Sequence, residues 1–415
     1  MPNLVWALEL VGTVLSKATL VDVDVVVVGA GLVGAVLSCL LAKSNKSLRI
    51  AVVEAHAYKE SRGGDSYKPV VAINERSKRL LDKCGLWKKI SEYRYCSYTK
   101  MEVWDAQGTG RIRFDCDEID ADSLGYIIEN CAIHGAAVDA VRHEKNIQLF
   151  CPEEIIDFSD NCDWIGVRLN KGTELRAKLL IGADGSSSRV RRQYAFQTSE
   201  WNYGHSAITT TVETKFPHRG VARQVFMESG PLALLPLENQ QQGNYCSVVW
   251  SQETVAAEYL MSLEESEFCR NLSLSSEYCL GNVLSANNRM AIPLRQQRAI
   301  DYIGPRVALI GDAAHTIHPL AGQGVNLGFA DTEVLVQEIN HATDLGNDIG
   351  GNATLRRFQR RRKGNNLSML LLVENLNNLF SSPQLSMRLL RNFGLGIVDN
   401  MPTLKRRLVR YAMGL

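Results

Sequence analysis

The stretch VDVDVVVVGAGLVGAVLSCLLAK, Val21 to Lys43, constrains the fold more than any other part of the chain. Its opening run to Val28 is almost wholly β-branched, the composition of a strand buried on both faces of a parallel sheet. Gly29, Gly31 and Gly34 follow at GxGxxG spacing, and a helical pattern comes next. LRIAVVEA, Leu48 to Ala55, reads as a second buried strand. Strand, helix and parallel strand make a βαβ unit, which needs helices over its faces. The predicted class is α/β, with a Rossmann-like domain at its centre.

The three glycines have separate tasks. The first permits the tight turn, the second lets backbone approach a pyrophosphate, and the third lets helix and strand pack closely. The helix start offers unpaired N–H groups and the positive end of its dipole to phosphate. Glu54 ends the second strand, twenty positions after Gly34. A carboxylate there accepts from both ribose hydroxyls and repels a 2′-phosphate. These residues predict a dinucleotide site and leave FAD and NAD both open.

Two later stretches repeat the pattern of buried strand followed by glycine. LLIGADGSSSRVRR, Leu179 to Arg192, places Asp184 and Gly185 at a strand end. VALIGDAAHTIHPLAGQGVNLGFAD, Val307 to Asp331, places Gly311 and Asp312 there, then a glycine-rich turn before a helix. A strand-end carboxylate can bind sugar-like hydroxyls, and such a turn presents several backbone N–H groups toward one point. Reduced flavin develops negative charge at N1 and the C2 carbonyl, which a helix start with free amides stabilises. His315 and His318 raise a zinc reading, but glycine and proline follow at once and no third ligand is evident. No metal is expected, and the histidines are read as shaping the loop.

The length of 415 residues makes two domains the expectation. NERSKRLLDKCGLWKKI, Asn74 to Ile90, is predicted helical with a stop near Gly85. MEVWDAQGTGRIRFD, Met101 to Asp115, is predicted as a hairpin, and SLGYIIENCAIHGAAV, Ser123 to Val138, as a helix. From about Phe196 the texture changes to short strands (SAITTTVET, RQVFM, ALLPL, YCSVVWS), suggesting an inserted antiparallel sheet. The expected division is 21–97, 120–195 and 290–345 for the dinucleotide domain, 98–119 and 196–289 for a substrate domain, and 346–415 for a helical C-terminal region. Within the substrate domain, Phe226, Leu232 and Leu234 are expected to line an apolar pocket for a ring.

Charge and cysteine usage narrow the partners. The whole chain carries +1, which gives no global pull toward nucleic acid. From Leu355 onward, however, twelve Lys and Arg face only Glu374 and Asp399. Such a basic tail is either a solvated helical face or a docking surface for anionic membrane or a partner complex. Ten scattered cysteines without a CxxC pair indicate a reducing compartment, so a cytoplasmic location is expected, with a peripheral place at the inner membrane as its extension. No uncharged apolar run reaches about 18 residues, so no transmembrane helix is expected. MPNLVWALELVGTVLSKATL holds Glu9 and lacks a basic start, which makes it a poor signal peptide.

GxGxxG, DG and GD in this order resemble the flavoprotein monooxygenases of the p-hydroxybenzoate hydroxylase type. Within that group, HPLAGQGVNLGFAD, His318 to Asp331, is similar to the signature of the ubiquinone-biosynthesis hydroxylases. VAIN, CGLW, MEVWD, LGYIIEN, ARQVF and the final AMGL resemble the VisC/UbiI subgroup. The resemblance runs from about Val21 to the C-terminus. It implies FAD, NAD(P)H and O2, and hydroxylation of a polyprenylphenol through a flavin C4a-hydroperoxide. It also implies that Gly29, Gly31, Gly34, Glu54, Asp184, Gly185, Gly311, Asp312, Gly322, Gln323, Gly324, Val325 and Asn326 bind the cofactor. Pro319 would lie by the reactive edge of the flavin, with His318 and Gly322 also at the catalytic end. One position departs from the pattern: Pro69 stands where the family often has arginine, and the neighbouring Lys68 is a point charge rather than a guanidinium fork. The alternatives are a flavoenzyme acting on another aromatic or isoprenoid, and a non-catalytic FAD-binding scaffold.

Overall fold

The structure, a computed structural model, describes residues 19–58, 69–238, 243–316 and 323–414, apart from 383, 385–390, 393 and 395. His318, Pro319, Gly322 and Lys68 therefore lie outside the described residues.

Four parallel strands carry the core: β1 (Val25–Val28), β2 (Ile50–Val53), β3 (Leu179–Gly182) and β4 (Val307–Leu309). They stand side by side in the order β4-β3-β1-β2, flanked by Ile303–Gly304 and Ile147–Phe150. All four residues of β1 are buried, and each buried valine contributes about 1.5–3 kcal/mol of transfer free energy. Helix α1 (Leu32–Ser44) follows β1 directly and is buried along most of its length. The chain leaves β1 to build β2 on one side and β3 on the other. The strand order thus reverses at β1, and ligands of open α/β sheets bind at such a reversal.

The expected strand from Val21 to Val28 is broken at Asp24. Thr19–Asp22 belongs to a separate four-stranded sheet, where it pairs with Thr173–Ala177. Asp24 turns inward to accept from Arg49 N at 2.9 Å and to meet Lys178 at 3.0 Å. The predicted helix from Ser123 to Val138 is also corrected. Gly125–Glu129 is a strand paired on both sides, with Val70–Ile73 and Tyr95–Tyr98, and the helix begins only at Asn130. The β-branched isoleucines and the close approach of Tyr98 to Gly125 favour the strand.

A second, eight-stranded sheet holds in spatial order His315–Thr316, Val283–Ala299, Thr198–Thr214, Tyr245–Glu253, Leu232–Pro236, Val221–Phe226, Lys100–Asp105 and Arg111–Asp115. The predicted hairpin is its far edge. The sheet is mixed rather than antiparallel throughout, because Val221–Phe226 runs parallel to Lys100–Asp105. Its strand Val283–Ala299 continues ten residues past the expected boundary at 289, carrying this layer down to the dinucleotide domain.

One face of this sheet packs under two short helices, with Ile208, Val225, Leu232, Leu234, Val248 and Trp250 in the core they share. Toward the C-terminus come the helices α2 (Gln323–Asp344), α3 (Asn352–Ser381) and α4 (Pro402–Ala412). Leu327 in the first turns of α2, with Met369, Leu370 and Phe380 of α3, covers part of the opposite face at Val103, Ile112 and Phe226.

Candidate active site

The three glycine motifs follow β1, β3 and β4, and Glu54 follows β2. The fold therefore sets them in a row across the ends of four adjacent strands, about 14 Å wide at sheet spacing. The glycines are required in different ways. Gly29 has φ +96°, and a Cβ there would stand 2.5 Å from Ala183 O. A Cβ on Gly34 would stand 2.0 Å from Gly29 O. Nothing lies within 4 Å of where a Cβ on Gly31 would be, so the start of α1 is open to a ligand.

Glu54 is held rigidly. Ala30 N donates to its Oε2 at 2.8 Å and His56 N to its Oε1 at 2.9 Å. Beside it lies a cavity of about 190 Å³ lined by Ala30, Gly31, Glu54, Tyr58, His134 and Leu149, among others. A carboxylate and an open helix start sharing one cavity suit a ribose and a pyrophosphate.

Asp184 accepts from Arg189 N at 2.6 Å and Val190 N at 3.1 Å through Oδ2. Its Oδ1 is buried without a protein partner among the described residues, which leaves a place for a ligand group. Gly185 has φ +76° and open space around it. Gly311 has φ +57°, and it and Gly328 of α2 both close on Val33 in the first turn of α1. The start of α1, the GD turn and α2 thus meet at one point. Asp312 is open to solvent on its outer side, yet the depth of the crevice raises its carboxyl above the ordinary value through desolvation.

Gln323, Gly324 and Val325 form the first turn of α2 and are half-buried. Their N–H groups have no intrahelical acceptor, as at any helix start. Asn326 has a different task from its neighbours. Its Nδ2 donates to Ala72 O at 2.8 Å and its Oδ1 accepts from Asn74 N at 3.0 Å, clamping the VAIN segment to α2. Pro69, at the start of that segment, is exposed, and its carbonyl accepts from Asn130 N at 2.9 Å.

Two arginines that local spacing does not single out hold the site together. Arg191, 4% exposed, donates to Ser186 O, Ala313 O at 2.8 Å and Gln297 Oε1 at 2.7 Å. It joins the DG loop, the GD turn and the second sheet. Arg362 of α3 pairs at 2.7 Å with Asp331 of α2, both buried. Asp331 also takes His315 Nε2 at 2.5 Å, Gly311 N at 3.1 Å and Asn366 Nδ2 at 3.1 Å. Burial alone would raise the Asp331 carboxyl; His315 and Arg362 outweigh it and hold it well below the usual range. His315 is thus an anchor for the turn through a side-chain partner. The only hint in the sequence is an acid within the apolar run LGFAD, which demands a buried cation.

Part of the basic tail is consumed internally. Arg357 and Arg361 share Glu338, Lys363 meets Asp301, Arg391 meets Asp105 at 2.6 Å, and Lys405 meets Glu118 and Asp399. Leu232 and Leu234 are core beneath the short helices and do not face the row. Phe226 does lie on the row's side, but stacks on Phe380 at 3.9 Å. Beside it runs a strip of cross-strand neighbours, half-buried Ala233, Val249 and Thr209 and exposed Met290, with Leu235 and Ile292 on adjacent rungs. No helix among the described residues is long and apolar enough to cross a membrane.

A rigidly held acid beside an open helix start, with two further strand-end carboxylates leading to a second helix start, is an arrangement suited to a dinucleotide. The comparisons agree. A family profile described as "FAD binding domain" matches residues 22–363. The chain is 33% identical to the ubiquinone biosynthesis monooxygenase COQ6, mitochondrial, of Danio rerio, over 94% of this chain and 89% of that protein. It is 32% identical to the 3-demethoxyubiquinol 3-hydroxylase of Escherichia coli K12, over 94% and 98%. Among solved structures, PqsL, a probable FAD-dependent monooxygenase of Pseudomonas aeruginosa, shares the fold with a TM-score of 0.76 at 22% identity, covering 91% of this chain and all of that one. The chain belongs to the FAD-dependent hydroxylases of ubiquinone biosynthesis. It is an FAD-dependent monooxygenase, and NAD(P)H is the co-substrate typical of its class.

Proposed function

We propose that the enzyme hydroxylates the ring of a polyprenylphenol intermediate, with the ring lying on this strip of the second sheet. The observation that carries this reading is the strip itself. Ala233, Leu235 and Val249 are half-buried and apolar, and Met290 and Ile292 continue outward at 44% and 49% exposure. A flat apolar floor with an open apolar edge suits a ring that bears a hydrocarbon tail.

FAD, once reduced by NAD(P)H, supplies the oxygen-activating chemistry. Glu54, Gly31 and Asp184 would hold its adenosine and pyrophosphate end, and Asp312 the ribityl chain. The backbone of Gln323 and Gly324 would hold the pyrimidine end, with Gly322 beside them and Pro319 and His318 at the catalytic end. The N–H groups and positive dipole end of α2 stabilise negative charge at that end. The apolar strip positions the ring and excludes water, which protects a reactive oxygen species from hydrolytic decay. Arg191 keeps the strand-end motifs and the sheet in register, so that floor and cofactor keep their spacing.

Val249→Asp tests the reading. It should keep FAD and still be reducible by NAD(P)H, yet lose at least tenfold in kcat/KM on a short-chain prenylphenol, since a desolvated carboxylate replaces an apolar contact. Unchanged kinetics would move the ring off this strip.

A further inference from the structure

The C-terminal helix α4 buries one face and leaves another without a partner. Lys405, Val409 and Met413 point inward. Leu404, Leu408 and Tyr411, at i, i+4 and i+7, are 38%, 39% and 46% exposed, and Met401 at the helix start is 45% exposed. Arg407 and Arg410 run alongside, with Arg406 on their other flank; all three are exposed. None of the three has a carboxylate partner among the described residues, unlike Lys405 on the same helix. The helix itself contains no acid.

We infer that this face of α4 docks the enzyme on an anionic lipid surface. An apolar row beside an unpaired arginine row is the composition of an in-plane interfacial helix: the leucines and tyrosine enter the acyl boundary, and the guanidiniums stay among the headgroup phosphates. The charge is complementary to anionic lipid, and each arginine near such a surface adds an attraction screened by salt.

The position of the helix adds sense to this. Met413 O accepts from Arg76 N at 3.3 Å, and Ala412 O accepts from Asn74 Nδ2 at 3.4 Å. Asn74 N in turn donates to Asn326 of α2. The docking helix is therefore one residue removed from the start of α2, where the cofactor ring end lies. The inference deepens the substrate reading above and rests on it for purpose, because a lipid-tailed phenol resides in a bilayer.

The test uses the FAD-loaded full chain and vesicles of phosphatidylcholine, with and without phosphatidylglycerol, and no substrate. The wild-type protein should co-float with the anionic vesicles and be released by salt. The triple variant Arg406→Gln/Arg407→Gln/Arg410→Gln should lose on the order of a hundredfold in partitioning. Leu404→Ser/Leu408→Ser should also lose binding. Both variants should keep wild-type flavin content, melting temperature and turnover of a short-chain phenol in solution. Wild-type protein that stays off anionic vesicles, or a triple variant that partitions like wild type, overturns the assignment and leaves the face to a protein partner. Turnover of the soluble phenol judges the substrate reading separately.

Discussion

Single residues divide the site into parts that fold the protein and parts that hold the ligand. Gly29 and Gly34 are structural, since each would drive a Cβ into backbone. Gly29→Ala should cost roughly 1–3 kcal/mol from its backbone conformation alone, seen as a lower melting temperature without ligand. Gly31→Val puts its Cβ where nothing lies within 4 Å. It should melt within about 0.5 kcal/mol of wild type as apoprotein and fail to retain FAD on purification. Glu54→Gln keeps the shape but weakens a charge-assisted bond, and FAD affinity should fall about 10- to 100-fold by titration. These residues were legible because glycine spacing and a strand-end acid are local patterns. Arg191 and Arg362 were not: their partners lie up to 122 positions away, and Arg362 sits inside a run of cations that resembles a surface.

At the scale of elements, the join between α2 and α3 depends on a buried charge. Arg362→Met leaves Asp331 buried without its guanidinium partner, held by His315, Gly311 N and Asn366, and the loss should be about 3–5 kcal/mol in denaturant titration. The pH dependence has a definite sign. Asp331 has a depressed carboxyl in the folded state, so its contribution is complete above the ordinary value of 3.8 and is lost as pH falls toward the folded value. Asp331→Asn should therefore be less stable at neutral pH and show a flatter acid limb than wild type. The same scale explains where periodicity misled. The run from Ser123 to Val138 contains enough apolar residues for a helix, but sheet partners on both sides claim Gly125–Glu129. Asp24 interrupts a run of valines because Arg49 and Lys178 draw it inward. Neither partner is visible from local sequence.

Over the whole molecule, the start of α2 touches both layers: Gly328 closes on Val33 of α1, and Leu327 packs against Val103, Ile112 and Phe226 of the second sheet. The parallel sheet was readable from its valine-rich strands, as were the short strands of the second layer. Which face of that layer looks at the cofactor row was not readable: Leu232 and Leu234 have the composition of a pocket and the position of a core, while Ala233 and Val249 one residue away lie on the opposite face, the one proposed as the floor. A single register step decides between them. The central claim is that this floor and the flavin end together direct oxygen onto a prenylated ring. The direct measurement is single-turnover and steady-state reaction of the FAD-loaded enzyme with NAD(P)H, isotopically labelled O2 and a short-chain prenylphenol, followed by mass spectrometry. The account predicts a hydroxylated product carrying one labelled oxygen atom, formed in step with NAD(P)H consumption. Flavin that is reduced and reoxidised to give only hydrogen peroxide, with the phenol recovered unchanged at saturating concentration, would contradict it.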